Sequence, residues 1–126
     1  MSPRHLVVIL AVAGMAGPGV SRVEADARLV NISARVAVGG QAGTPVAGFV
    51  LGGSGAKSVL LRAVGPTLAS YGVTGVLADP SLALVAGGVT LGSNDDWSST
   101  RVRAFNQTGA FPLLRGSRGA AVVAAL

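Results

Sequence analysis

Residues 48–66 read GFVLGGSGAKSVLLRAVGP, two apolar runs separated by a loop rich in glycine. Residues that favour strands fill both runs, the first from Val46 to Leu51 and the second from Lys57 to Val64. A short glycine-rich loop between two such runs is typical of a β-hairpin. This stretch therefore predicts a pair of strands and, with them, a β-rich domain.

The loop also has glycines followed by a lysine and a serine, an order that suggests a phosphate-binding loop. That motif needs glycine at two positions that Leu51 and Ala56 occupy here, and it must open a helix, whereas the residues after Lys57 predict a strand. Ser54 and Lys57 match the S-x-x-K nucleophile pattern, but they meet only on a helical turn, which the glycines disfavour. We therefore interpret the loop as a turn.

Three more segments predict strands. Leu82 to Leu91 predicts a second hairpin about Gly87-Gly88. Ala120–Leu126 (AAVVAAL) predicts a buried strand, although its alanines would also suit a helix. The segment from Arg28 to Val38 alternates with a period of two, which is typical of a half-buried strand. Its apolar side carries Val30, Ile32, Ala34, Val36 and Val38.

Two short helices separate these strands. The first is predicted over Gly65–Gly72, with proline at its start and glycine at its end. The second follows Asn94-Asp95-Asp96, is capped by an aspartate or a serine, and ends by Gly109. Val102 and Phe105 would face the core from it. The predicted fold class is all-β, with one or two helical turns.

Residues 1–25 have the layout of a secretory signal peptide. A basic residue, Arg4, precedes an apolar run from Leu6 to Gly17, and small residues end the segment. The run is shorter than the roughly 20 residues of a membrane-spanning helix. The sequence thus predicts export and a single domain over residues 26–126, with an uncleaved N-terminal anchor as the alternative and no other membrane span.

The composition argues against catalysis and against nucleic-acid binding. The chain has no cysteine, and its only histidine, His5, and only glutamate, Glu24, both lie in the predicted signal peptide. The remaining acidic residues are Asp26, Asp79, Asp95 and Asp96. The net charge of +5 comes from scattered basic residues rather than from a basic patch. Arg62, within a predicted apolar strand, is expected to face solvent or to pair with an aspartate.

One cluster offers ligands for calcium. Asn94, Asp95 and Asp96 concentrate oxygen atoms at a turn, and Asp79 comes close if the two ends of the second hairpin meet. The alternative is that these residues cap a helix or form hydrogen bonds within the turn. Trp97, next to them, is either a surface on which a sugar stacks or a cover for the edge of the core.

The chain also resembles a known group of domains. The resemblance lies in RLVNISARVAVGG, GFVLGGSGAKSVLLRAVGPTLASYGV, LADPSLALVAGG and SNDDW. These segments are similar to a Gly/Val/Ala-rich β-sandwich module of large exported bacterial proteins, and the second half is similar to bacterial pre-peptidase C-terminal domains. The likeness covers nearly all of residues 26–126 and is most specific from Gly48 to Pro66. It implies a jelly-roll-like antiparallel β-sandwich, an accessory module without catalytic residues.

The sequence departs from that group at two places. Members tend to have aspartate where Gly119 stands, and they continue beyond the last apolar strand into one or two further strands, whereas this sequence stops at Leu126. The resemblance therefore predicts a sandwich that lacks its final strands, as in a truncated module. An open sheet edge and an uncovered apolar face would follow, and these would favour pairing with another chain.

Two functions remain from the sequence. The first is a non-catalytic structural or interaction module of a secreted or cell-surface bacterial protein, with other exported or cell-surface components as partners. The second is a calcium- or carbohydrate-binding surface module that would use Asn94, Asp95, Asp96 and Trp97.

Overall fold

A computed structural model describes residues 4–13, 31–39 and 43–126, with the backbone alone for the first range. The described chain is rich in strands. These are β1 (Arg4–Ala13), β2 (Asn31–Val38), β3 (Ser58–Val64), β4 (Leu82–Ala86), β5 (Val89–Asn94) and β6 (Ala120–Ala125). The helical elements are a 3₁₀ helix (Pro66–Tyr71), a second 3₁₀ turn (Ser99–Arg101) and one α-helix, α1 (Val102–Thr108).

The strands form two antiparallel sheets. The larger sheet has the order β2-β1-β3-β6, and the smaller one is the β4–β5 hairpin. Every pair of neighbouring strands in the larger sheet is antiparallel. β1 is hydrogen-bonded to β2 on one side and to β3 on the other, and β3 is also hydrogen-bonded to β6. β3 therefore has a strand along each of its edges.

Strand β3 is the centre of the core, because its side chains are buried on both faces of the sheet. On the first face, Leu60 and Val64 pack with Phe105 of α1 and with residues of the first 3₁₀ helix. On the second face, Val59 and Leu61 pack with Leu84 of the hairpin. The continuous apolar run of β3 is what a strand covered on both faces requires.

Several local predictions from the sequence are confirmed. The second hairpin turns at Gly87 and Gly88, which have φ angles of 56° and 77°, values that glycine adopts without strain. The first 3₁₀ helix ends at Gly72 and α1 ends at Gly109, both in the left-handed conformation. The final apolar run forms the buried strand β6.

The first hairpin prediction is wrong. Residues 46–51 form no strand, and β3 pairs with β1 and β6 instead of with them. Lys57 donates its backbone N–H to Leu126 and accepts one from it, so the β3–β6 ladder begins at the end of the glycine-rich loop. Because both edges of β3 are occupied, residues 46–51 have no edge of β3 left to pair with.

Two burial predictions are also wrong. The predicted strand is confirmed over Asn31–Val38, and its first residues, 28–30, lie outside the described ranges. Among the described residues of its apolar side only Val38 is buried, and Ile32 is 50% exposed. The reason is that β2 is an edge strand, and the second-face core reaches it only at Val38. In α1, Phe105 faces the core as predicted, whereas Val102 is 41% exposed. Ser98 precedes the second 3₁₀ turn, but its side chain makes no capping hydrogen bond to the backbone; its Oγ is hydrogen-bonded to Oγ1 of Thr100 at 2.5 Å. The residue before α1 is Arg101, which makes no capping hydrogen bond either.

The predicted signal peptide overlaps a strand. Residues 4–13 of this predicted segment form β1, between β2 and β3, and residues 1–3 and 14–25 lie outside the described ranges. Cleavage after Ala25 stays a prediction. None of the helices in the described ranges is both long enough and apolar enough to cross a membrane.

Candidate functional site

Asn94 links the hairpin to the larger sheet. It is the last residue of β5, and its Oδ1 accepts a hydrogen bond of 2.9 Å from the backbone N–H of Ala121 in β6. Its Nδ2 donates to the backbone carbonyl of Asp96, also at 2.9 Å. Both ends of the amide are therefore used within the protein. This side chain ties the turn that follows β5 to the outer edge of β6.

The structure gathers part of the predicted calcium cluster. Asp95 and Asp96 are exposed and line, with Asn94, a shallow concavity of about 600 Å³. The ends of the hairpin do meet, but the carboxylate of Asp79 pairs with Arg118, with an Nη1–Oδ2 distance of 2.5 Å. Within the described ranges, no three Asp, Glu, His or Cys side chains come together as a metal site would need. Calcium binding by these residues stays a prediction.

Trp97 lies at the edge of the core. Its ring centroid is 5.5 Å from that of Phe105, and its Nε1 donates to Oγ of Ser117 at 3.3 Å. Its backbone N–H donates to the carbonyl of Gly119 at 2.7 Å, which fastens the turn to the start of β6. The side chain is partly buried. This position leaves part of the ring accessible, so sugar stacking also stays a prediction.

An apolar cleft opens on the second face of the larger sheet. It has a volume of about 1230 Å³ and lies among the extended segment 43–51, the β4–β5 hairpin and the sheet. Its apolar lining includes Val46, Phe49, Leu51, Leu61, Leu82 and Leu84. Its few polar side chains include Thr44, Asp79 and Ser81. Small-molecule sites usually measure about 300–1,000 Å³, so this cleft is larger than most of them.

Two lengths of unpaired backbone border the cleft. β4 is bonded to β5 on one side only, so its other edge has no ladder partner among the described residues. Segment 43–56 makes no backbone-to-backbone hydrogen bond to any part of the chain that the structure describes. Val46 and Val50, in the same segment, are 93% and 94% exposed. Apolar side chains thus lie beside N–H and C=O groups that no described residue pairs with, as at an open sheet edge.

A buried arginine lies on the opposite face of the sheet. Arg62, in β3, was expected to face solvent or to pair with an aspartate. Its exposure is 0%, and within the described ranges it pairs with no aspartate and makes one hydrogen bond, to the backbone carbonyl of Phe111. The signal for it was present in the sequence, because Arg62 is the only charged residue inside the apolar run of β3. The residues that surround Arg62 could not be predicted from the neighbouring sequence, because they include residues far away in the chain, such as Phe111.

No protein-family model, curated protein or solved structure matches the chain. The similarity to the exported β-sandwich module therefore stays a resemblance carried by the quoted segments.

Proposed function

We propose that this chain is a non-catalytic interaction module of an exported or cell-surface bacterial protein, and that its binding face is the apolar cleft. The observation that carries the proposal is the cleft itself, where exposed apolar side chains adjoin backbone of β4 and of segment 43–51 that has no backbone partner among the described residues. Contiguous apolar surface of this kind marks interaction sites in soluble proteins.

The chemistry of the cleft favours a polypeptide segment as the partner. An extended apolar segment supplies both side chains for the lining and N–H and C=O groups for the free backbone, which is how a strand is added to a sheet edge. A simple hydrocarbon would leave the free backbone unpaired, and that is unfavourable when water is excluded. The packing of the hairpin against the larger sheet, through Leu84 with Val59 and Leu61, is compatible with a β-sandwich to which the partner adds a strand.

Site-specific photocrosslinking tests the proposal. With the photoreactive residue p-benzoylphenylalanine at Val46, on the wall of the cleft, we expect a crosslinked adduct in the source bacterium. The same residue at Val102, on α1 and outside the cleft, should give none. Mass spectrometry of the adduct should identify an extended apolar segment.

Filling the cleft supplies the control. Ala83 is exposed in β4 and lines the cleft, whereas Ala69 is exposed in the first 3₁₀ helix and does not line it. We expect Ala83→Trp to remove the adduct at Val46 and Ala69→Trp to leave it unchanged. Equal crosslinking at Val46 and Val102, or an adduct that survives Ala83→Trp, would contradict binding in the cleft.

A second candidate, a calcium- or carbohydrate-binding surface module, draws on the turn after β5. The concavity there brings the exposed carboxylates of Asp95 and Asp96 beside Ser81, and hard oxygen atoms suit calcium. On this alternative, millimolar calcium would raise the Tm of the wild-type protein by about 4 °C or more, and the Asp95→Asn/Asp96→Asn variant would not respond. If the Tm of the wild-type protein is the same in calcium and in magnesium, calcium binding is not supported.

A glycan array with the Trp97→Ala variant as the control tests carbohydrate binding.

A further inference from the structure

Arg62 is held between two aromatic rings. Its guanidinium carbon is 5.0 Å from the centroid of Phe105 and 4.4 Å from that of Phe111. Tyr71 packs edge-on against Phe111, with the two ring centroids 5.3 Å apart. Phe105 is 2% exposed, whereas Tyr71 is 62% exposed. The guanidinium is therefore covered by aromatic surface, with Phe105 on its buried side and with Phe111 and Tyr71 towards solvent.

Two of the three guanidinium nitrogen atoms of Arg62 have no acceptor among the described residues. Nη1 donates to the carbonyl of Phe111 at 2.5 Å, while Nε and Nη2 are buried and unbonded within the described structure. The N–H groups of Nε and Nη2 point in the same direction, as the side-on fork of a guanidinium. This fork matches the two oxygen atoms of a carboxylate, which it binds through a bidentate pair of hydrogen bonds.

No acidic residue in the described ranges balances this charge. Asp79 is paired with Arg118, and Asp95 and Asp96 are exposed at the turn after β5. Burial lowers the pKa of Arg62 to about 10, and the nearby Tyr71 opposes this effect. The guanidinium is still charged at neutral pH. A buried charge without a partner is strongly destabilising, so a bound anion would relieve a real cost.

We infer that Arg62 anchors a binding site for a small carboxylate, which the Nε and Nη2 donors hold as a bidentate pair between the rings of Phe105 and Phe111. This inference is independent of the cleft, which lies on the other face of the sheet. The ligand enters by displacing Phe111 and Tyr71. Phe111 belongs to a segment without regular structure, residues 110–119, so it is the more easily moved of the two aromatic walls.

Thermal unfolding in sodium acetate tests the site. With the full chain at pH 7, we expect acetate to raise the Tm saturably, by about 5 °C at tenfold above the half-saturating concentration, relative to sodium chloride of equal ionic strength. The Tm is also measured in sodium phosphate of the same ionic strength. Because phosphate is larger and tetrahedral, we expect a smaller rise than with acetate.

Three variants separate the fork from its charge. Arg62→Lys keeps a cation but has no fork, and Arg62→Met keeps the shape without the charge, so both should lose the acetate response. Arg103→Met removes an exposed arginine of α1 and should keep the response. The inference is overturned if acetate and chloride act equally on the wild-type protein, if phosphate stabilises it more than acetate does, or if Arg62→Lys or Arg62→Met still responds.

Discussion

Replacing Gly65 with alanine should destabilise the protein by about 3 kcal/mol or more, because the new methyl group would overlap backbone atoms. A Cβ at this position would lie 1.9 Å from the carbonyl oxygen of Leu77 and 3.2 Å from Cδ of Pro80. A carbonyl oxygen cannot rotate away as a flexible side chain does. Gly65 joins β3 to the first 3₁₀ helix, so any adjustment would also displace the central strand. Urea unfolding of the purified chain measures the loss.

A second glycine provides the matched control. Gly52 is in the loop that precedes β3, has no neighbour within 4 Å of an added Cβ, and does not need a left-handed backbone. Gly52→Ala should therefore change the free energy of unfolding by less than about 0.5 kcal/mol. If the two variants unfold at the same urea concentration, the close approach of Leu77 to Gly65 is not present in solution.

Removing residues 1–25 should abolish cooperative unfolding of the domain. β1 lies between β2 and β3, so its loss takes away the strand partner of β2 and opens one edge of β3. Small domains have total stabilities of about 5–15 kcal/mol, and the loss of a central strand is enough to exhaust them. Circular dichroism during heating compares the chain of residues 26–126 with the full chain.

The same comparison bears directly on export. A signal peptidase that cut after Ala25 would release β1, because residues 4–13 cannot both leave with the signal peptide and remain in the sheet. A chain lacking only residues 1–3 keeps β1 and should melt like the full chain. If residues 26–126 melt cooperatively at the full-chain Tm, then β1 is dispensable and the signal-peptide prediction gains support. N-terminal sequencing of the protein recovered from outside the cell would show which form is released.

Local signals in the sequence predicted much of this fold. The hairpin at Gly87-Gly88, the helix ends at Gly72 and Gly109, and the final strand follow from turn chemistry and apolar runs, which act over a few residues. The pairing of β3 did not follow from such signals. The neighbouring apolar runs suggested a hairpin, but β1 and β6, which are distant in sequence, occupy both edges of β3. A short stretch of sequence does not show which strands compete for those edges.

In the candidate sites, too, local features could be predicted from the sequence and long-range contacts could not. The sequence placed Asn94, Asp95 and Asp96 at a turn beside Trp97, and in the structure Asn94 ends β5 while Asp95 and Asp96 form the turn that leads to Trp97. It could not show that Asn94 uses its amide to hold β6, because Ala121 is 27 residues away. The two rings that enclose the guanidinium of Arg62, those of Phe105 and Phe111, likewise lie more than 40 positions later in the chain. Such contacts arise only when the sheet and the helical segment are packed together.

Trp97 provides a spectroscopic probe of this packing. It is the only tryptophan in the chain, and its indole is partly buried against Phe105, which also contacts the guanidinium of Arg62. Its fluorescence therefore comes from one place, where the turn after β5, α1 and the start of β6 meet. Its emission should shift to longer wavelength when this junction opens. Loss of the junction can thus be timed separately from loss of the strands, without attaching a dye.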